Sequence, residues 1–120
     1  LLASSLIGVL AQRLVRRLEP DTRQPYPAGD AELAAFGRPQ GDAGTTLYRA
    51  GEGGYRGRSG IYELVPVDET MRGLIHDGAA ESALEHHARQ QSPSILADGW
   101  RVATAGLTSA EEVLRVTREL

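Results

Sequence analysis

The chain has 120 residues, a mass of 12.9 kDa, 41% hydrophobic residues and a formal charge of -3 with a pI near 5.6. That suffices for one modest core or two small ones, and the acidic balance argues against wholesale capture of nucleic acid or anionic membrane, which reward a dense positive field. Cysteine is absent and all 13 basic residues are arginine. Disulfides, thiolate zinc sites, cysteine nucleophiles, lysine imines and a Walker phosphate loop are therefore excluded.

The opening stretch carries its apolar residues before its arginines, the reverse of a signal peptide, and Gln12 and Arg13 interrupt it before it could span a bilayer. A cytoplasmic chain is expected. Leu1 to Leu18 reads as a helix, with Ile7, Leu10, Leu14 and Leu18 on one stripe and Gln12, Arg13, Arg16 and Arg17 opposite. In its first half the apolar residues cover almost the whole circumference, which is how a helix buried on all sides reads. With no initiating methionine and no N-cap, it is expected to be the end of a longer protein's core.

Pro20, Pro25 and Pro27 impose an extended link, after which Asp30 can cap a short helix from Ala31 to Phe36. Thr45 to Ala50 and Ile61 to Val67 read as strands, and the glycine-rich run between them predicts the turn of a hairpin. From there the pattern is helical. Asp68 caps a helix through Ile75 that Gly78 stops, and Ala79 to Gln91 follows. Ser92 caps a third helix with Pro93 at its first position and Gly106 at its end, and Thr108 with Glu111 forms a capping box for a fourth.

The run Gly51-Glu52-Gly53-Gly54-Tyr55-Arg56-Gly57-Arg58-Ser59-Gly60 can be read as a phosphate cradle or as a turn. Context favours the turn, because the run opens a strand instead of the helix whose N-terminus would hold the anion. Arg56 and Arg58, two residues apart beside Tyr55, can grip a carboxylate or phosphate of a partner, or form a solvated hairpin edge; Glu63 has the parity to pair with them. His86 and His87 point about 100° apart on a helix, and His76 lies on another, which predicts surface or packing roles rather than chelation. The pairs Glu111-Glu112 and Asp68-Glu69 are accounted for by helix starts, and Trp100 by core or interface packing.

Three stretches taken together, Ser4 to Leu18, Gly54-Tyr55-Arg56-Gly57-Arg58-Ser59-Gly60-Ile61-Tyr62-Glu63-Leu64, and Asp98-Gly99 through Gly106 to Val116, resemble the bacterial type II secretion and type IV pilus assembly ATPases, in the secretion protein E branch. The resemblance runs along almost the whole chain. It implies a cytoplasmic hexameric motor, peripheral at the inner membrane, that uses ATP and Mg to drive a pseudopilus during protein secretion, with copies of itself and inner-membrane platform proteins as partners and no nucleic acid. Its nucleotide-binding elements would lie upstream of this chain. The chain itself is then a structural and coupling segment with no catalytic, cofactor or metal residues, its partner-contact candidates being Tyr55, Arg56 and Arg58.

The family usually carries two cysteine pairs that bind zinc. Here Glu19-Pro20-Asp21-Thr22 stands where the first belongs and Ala50-Gly51-Glu52-Gly53 is too short for the second. Metal binding is therefore not expected, and the insert should pack around Leu33, Phe36, Leu47, Tyr48, Ile61 and Tyr62. The expected architecture is α+β, with a core helix over 1–18, a cysteine-free insert containing a hairpin over 19–67, and a helical subdomain over 68–120. A free-standing adaptor that binds a secretion partner is the alternative, and it should begin with its own capped helix.

Overall fold

The computed structural model describes residues 8–118. In chain order it contains β1 (Gly8–Leu18), β2 (Gln24–Pro27), α1 (Asp30–Ala35), a 3-10 turn (Gln40–Asp42), β3 (Thr46–Arg49), β4 (Tyr55–Pro66), α2 (Glu69–His76), α3 (Glu81–Gln91), α4 (Ile95–Thr104) and α5 (Ala110–Thr117). The fold is α+β, as expected, with two antiparallel two-stranded sheets, β1–β4 and β2–β3.

The expected opening helix is corrected to a strand over 8–18; its first seven residues lie outside the described ones. Leu10, Leu14 and Leu18 are four residues apart, a spacing that fits one helical stripe and equally one face of a strand, since four is a multiple of two. Long-range pairing decides between them. β1 runs against β4 from Gly8 opposite Pro66 to Arg16 opposite Arg58, where a bulge shifts the register so that Leu18 faces Tyr55. One face of this ribbon buries Val15 and Ile61 completely, whereas Leu10, Leu14, Tyr62 and Leu64 are exposed on the other.

The expected hairpin between Thr45–Ala50 and Ile61–Val67 is likewise corrected, because β3 pairs with β2, from Gln24 opposite Arg49 to Pro27 opposite Thr46. Pro25 and Pro27 do not prevent this, since a strand paired on one side only can turn a position lacking N–H away from its partner. The glycine-rich run is divided: Tyr55 onward belongs to β4, which reaches back six residues further than the sequence pattern implied.

The helix caps are close to expectation, with instructive offsets. Asp68 caps α2, its carboxylate accepting from Met71 N at 2.8 Å. Gly29 rather than Asp30 is the N-cap of α1, with Glu32 accepting from Gly29 N at 3.2 Å. α4 is capped by Ser94, which accepts from Ala97 N at 3.1 Å, instead of by Ser92. α5 is capped by Ser109, which accepts from Glu112 N at 3.1 Å, because Thr108 is used elsewhere: its hydroxyl donates to Arg16 O at 2.7 Å.

A main core unites Val15 of β1, Leu33 and Phe36 of the insert, Leu47 of β3, Ile61 of β4, and Trp100, Val102, Ala103 and Val113 of α4 and α5. Of the residues expected to hold the insert, Leu33, Phe36, Leu47 and Ile61 are buried, Tyr48 is half-buried and Tyr62 is exposed. Trp100 packs in this core against Phe36, ring centroids 5.1 Å apart at 57°. A smaller cluster of Val67, Met71 and Ala88 lies under α2 and α3.

Part of each edge of the β1–β4 ribbon is capped from the helical half. Arg16 N donates to the Glu112 carboxylate at 2.9 Å and Leu18 N to Leu107 O at 2.9 Å, while Tyr62 N on β4 donates to Asp98 at 2.8 Å. Unpaired strand edges invite pairing with other chains, and at these three positions side chains and the turn before α5 occupy them.

Candidate functional site: a clasped insert beside an arginine cleft

The two segments that stand in for the cysteine pairs are in direct contact. The Glu19 carboxylate accepts from Asp21 N at 2.8 Å, Thr22 N at 3.0 Å and the Thr22 hydroxyl at 2.9 Å. The Thr22 hydroxyl oxygen accepts in turn from Gly53 N at 2.8 Å, and Glu19 N donates to Gly54 O at 3.0 Å. The approach is so close that a Cβ on Gly51 would stand 1.8 Å from Thr22 O, and one on Gly53 2.6 Å from the Glu19 and Thr22 oxygens.

Glu19 is buried, and its carboxyl is held below the usual range, first by the Asp21 backbone N–H and then by Thr22. These donors do not suit zinc, because both carboxylate oxygens are already engaged and neither a thiolate nor an imidazole is at hand. Among the described residues no group of three or more His, Cys, Asp and Glu is disposed to hold a metal. The clasp is thus a hydrogen-bonded tie between the loops at 19–23 and 50–54, which adds to the packing expected from sequence.

Arg56 and Arg58 start β4 just past this clasp, on either side of the bulge at Gly57, whose φ is 75°. Both are exposed, and they share a concave cleft of about 370 Å³ with Arg17 of β1, Arg23 and the Gly106–Leu107 turn. Arg23 is fixed at the cleft wall by donating to Gly106 O at 2.6 Å and by lying over the Tyr48 ring at 4.7 Å. Arg17 and Arg23 had no local signal marking them as site residues, because only the β1–β4 pairing and the return of residues 106–107 bring them here.

Tyr55 is not part of that cleft. Its hydroxyl lies 2.7 Å from Ser109 Oγ and its ring carries the Arg16 guanidinium at 4.2 Å, so it faces a second, wider cleft of about 860 Å³ between β2–β3 and α5. Glu63 does not serve Arg56 or Arg58; it pairs with Arg89 and accepts from Ile95 N at 2.8 Å, at the start of α4.

Arg16 leads to the principal electrostatic centre of the fold. Glu112 is 1% exposed and accepts from Arg16 Nε and Nη2 at 3.1 and 3.0 Å and from Arg115 Nε and Nη2 at 3.1 and 2.8 Å. Burial by itself would raise its carboxyl, but the bonds from Arg115 and Arg16 hold it down to about 2. Read from sequence as helix-start acids, Glu111 and Glu112 thus part ways: Glu111 is exposed and Glu112 is the anchor. His87 is half-buried with its Nε2 2.9 Å from both Asp68 oxygens, and His86 is exposed. They form no chelating pair.

Residues 1–115 match the family described as Type II/IV secretion system protein. The chain is 54% identical over 125 residues to a type II secretion system protein E of Pseudomonas aeruginosa and 47% identical over 125 residues to a type II secretion system ATPase E of Vibrio cholerae. It is also 47% identical over 129 residues to a type II secretion system protein E of Aeromonas hydrophila. Each alignment takes in 99% of this chain and 25% of the relative, so the chain spans about a quarter of the length of these proteins.

Proposed function

The chain belongs to the type II/IV secretion system protein family, and we propose that it is the carboxy-terminal, coupling part of a cytoplasmic type II secretion ATPase that powers protein export through pseudopilus assembly. The observation that carries this reading is the 54% identity to a type II secretion protein E along 99% of the chain. In the whole motor, ATP and Mg would be handled by sequence outside these 120 residues, since a chain without lysine cannot supply the phosphate-loop cation. Its partners would be further copies of the same motor in a hexamer and the inner-membrane secretion platform, with the protein peripheral to that membrane and no nucleic acid involved.

The β1–β4 ribbon, the insert through Leu33, Phe36 and Leu47, and α4–α5 share one core, so force applied to one would pass to the others as a packed body. The test compares the isolated chain with the full reading frame in an ATPase assay. The full-length protein should turn over ATP in the presence of Mg, and the 120-residue chain should not exceed a protein-free blank. Turnover by the isolated chain that survives repurification would overturn the assignment.

A further inference from the structure

We propose that the cleft between the start of β4, the end of β1 and the Gly106–Leu107 turn is a binding site for a phosphate-type oxyanion, held by Arg17, Arg23, Arg56 and Arg58. This goes beyond the motor assignment and does not depend on it. Four guanidiniums line one concavity of about 370 Å³, and no carboxylate lines it with them. In a chain whose formal charge is -3, that is a strong local excess of positive charge.

Among the described residues no acid pairs directly with these four arginines. Among the described residues, Arg17, Arg56 and Arg58 make no ion pair within 4 Å, whereas Arg16, Arg38, Arg89, Arg101 and Arg115 each do. Glu19 feels the charge of Arg56, but its two oxygens are taken by Asp21 N, Thr22 N and the Thr22 hydroxyl. The clasp thus holds the Glu19 oxygens on backbone and hydroxyl donors, and their charge acts on Arg56 from outside the cleft lining.

Part of the site is already built. The Gly106 carbonyl and the Tyr48 ring set the direction of Arg23, and Arg56 and Arg58, on either side of the bulge at Gly57, line the same concavity. Pre-positioned guanidiniums lose little freedom on binding, and each presents a planar fork of donors. A carboxylate, with two oxygens and one charge, satisfies one such fork. A phosphate or diphosphate, with more terminal oxygens and about two or more charges, can engage several forks together, which favours it over an acidic side chain.

The 120-residue chain is titrated calorimetrically with inorganic phosphate and with pyrophosphate, and separately sedimented with vesicles of phosphatidylcholine with and without phosphatidylglycerol. Saturable binding of pyrophosphate at one equivalent is expected, weakened at least about tenfold in Arg56→Ala with Arg58→Ala, the effect of removing charge-assisted hydrogen bonds. Arg13→Ala with Arg118→Ala removes two arginines outside the cleft and should weaken it by no more than about threefold through net charge alone. Binding of the soluble anions assigns a free phosphate source; binding confined to phosphatidylglycerol vesicles and lost only in the Arg56/Arg58 variant assigns a lipid phosphate. No saturable binding to any of these, equal loss in both double variants, or tighter binding of a polyglutamate peptide than of pyrophosphate would each overturn the site.

Discussion

Glu112 concentrates in one side chain what holds the two halves of the sequence together. It receives a backbone N–H and a guanidinium from β1 and a second guanidinium from its own helix. Its carboxyl titrates near 2 in the folded chain and near 4.5 when unfolded, so the unfolded state binds the proton more readily. The stability it contributes is fully present above the unfolded value and is lost as pH falls from about 4.5 toward 2. Glu112→Gln should cost about 2 kcal/mol at neutral pH, since both arginines can still reach water but the buried acceptor for Arg16 N is weakened. Chemical denaturation at several pH values checks this: the wild-type midpoint should fall on acidification below pH 4.5 and the variant's should fall less. Identical slopes would mean that Glu112 is not the titrating anchor. Nothing in the sequence separates Glu112 from Glu111; only the arrival of Arg16 from 96 positions away does so.

At the scale of elements, the crossing of α4 and α5 depends on a residue with no side chain. A Cβ on Gly99 would stand 2.3 Å from a methyl of Val113, which is completely buried and has nowhere to retreat. Gly99→Ala should therefore destabilise by about 1–3 kcal/mol, the usual cost of overpacking, although alanine is the better helix former. Adding Val113→Ala should recover part of that loss by restoring the volume, and thermal melts of the single and double variants decide the matter. A stabilised Gly99→Ala would show that the helices can separate without penalty. These helices were legible because their signals are local: Asp68 caps α2 as read, and the caps of α4 and α5 lie two residues and one residue from those expected. The strands were less legible. β1 carries a four-residue apolar spacing that serves either period, and its partner begins nearly forty residues further on. β2 is rich in proline, and its pairing with β3 displaced the expected hairpin.

At the scale of the whole molecule, the cleft arginines sit where they contribute little to the packed body. Arg56 and Arg58 are exposed and support no ion pair among the described residues. Replacing both with alanine in the full-length protein should leave the thermal midpoint nearly unchanged, since such surface changes are usually within about 0.5 kcal/mol. Secretion or stimulated ATPase activity should nevertheless fall. Marked unfolding of the double variant would show instead that the pair is structural. The sequence pointed to Arg56 and Arg58 through their spacing, but grouped them with Tyr55, which the fold assigns to the Ser109 side. Arg17 and Arg23 enter only through tertiary structure.

The clasp at Glu19, Thr22 and Gly53 has a consequence for how the chain lives in a cell. Every atom of the tie is supplied by the polypeptide, so it can form as soon as residues 19–23 and 50–54 have been synthesised and met. No thiol takes part in it, so an oxidant has none here to consume. The tie depends instead on two glycines: at Gly51 and Gly53 any side chain larger than a hydrogen atom would force the two loops apart.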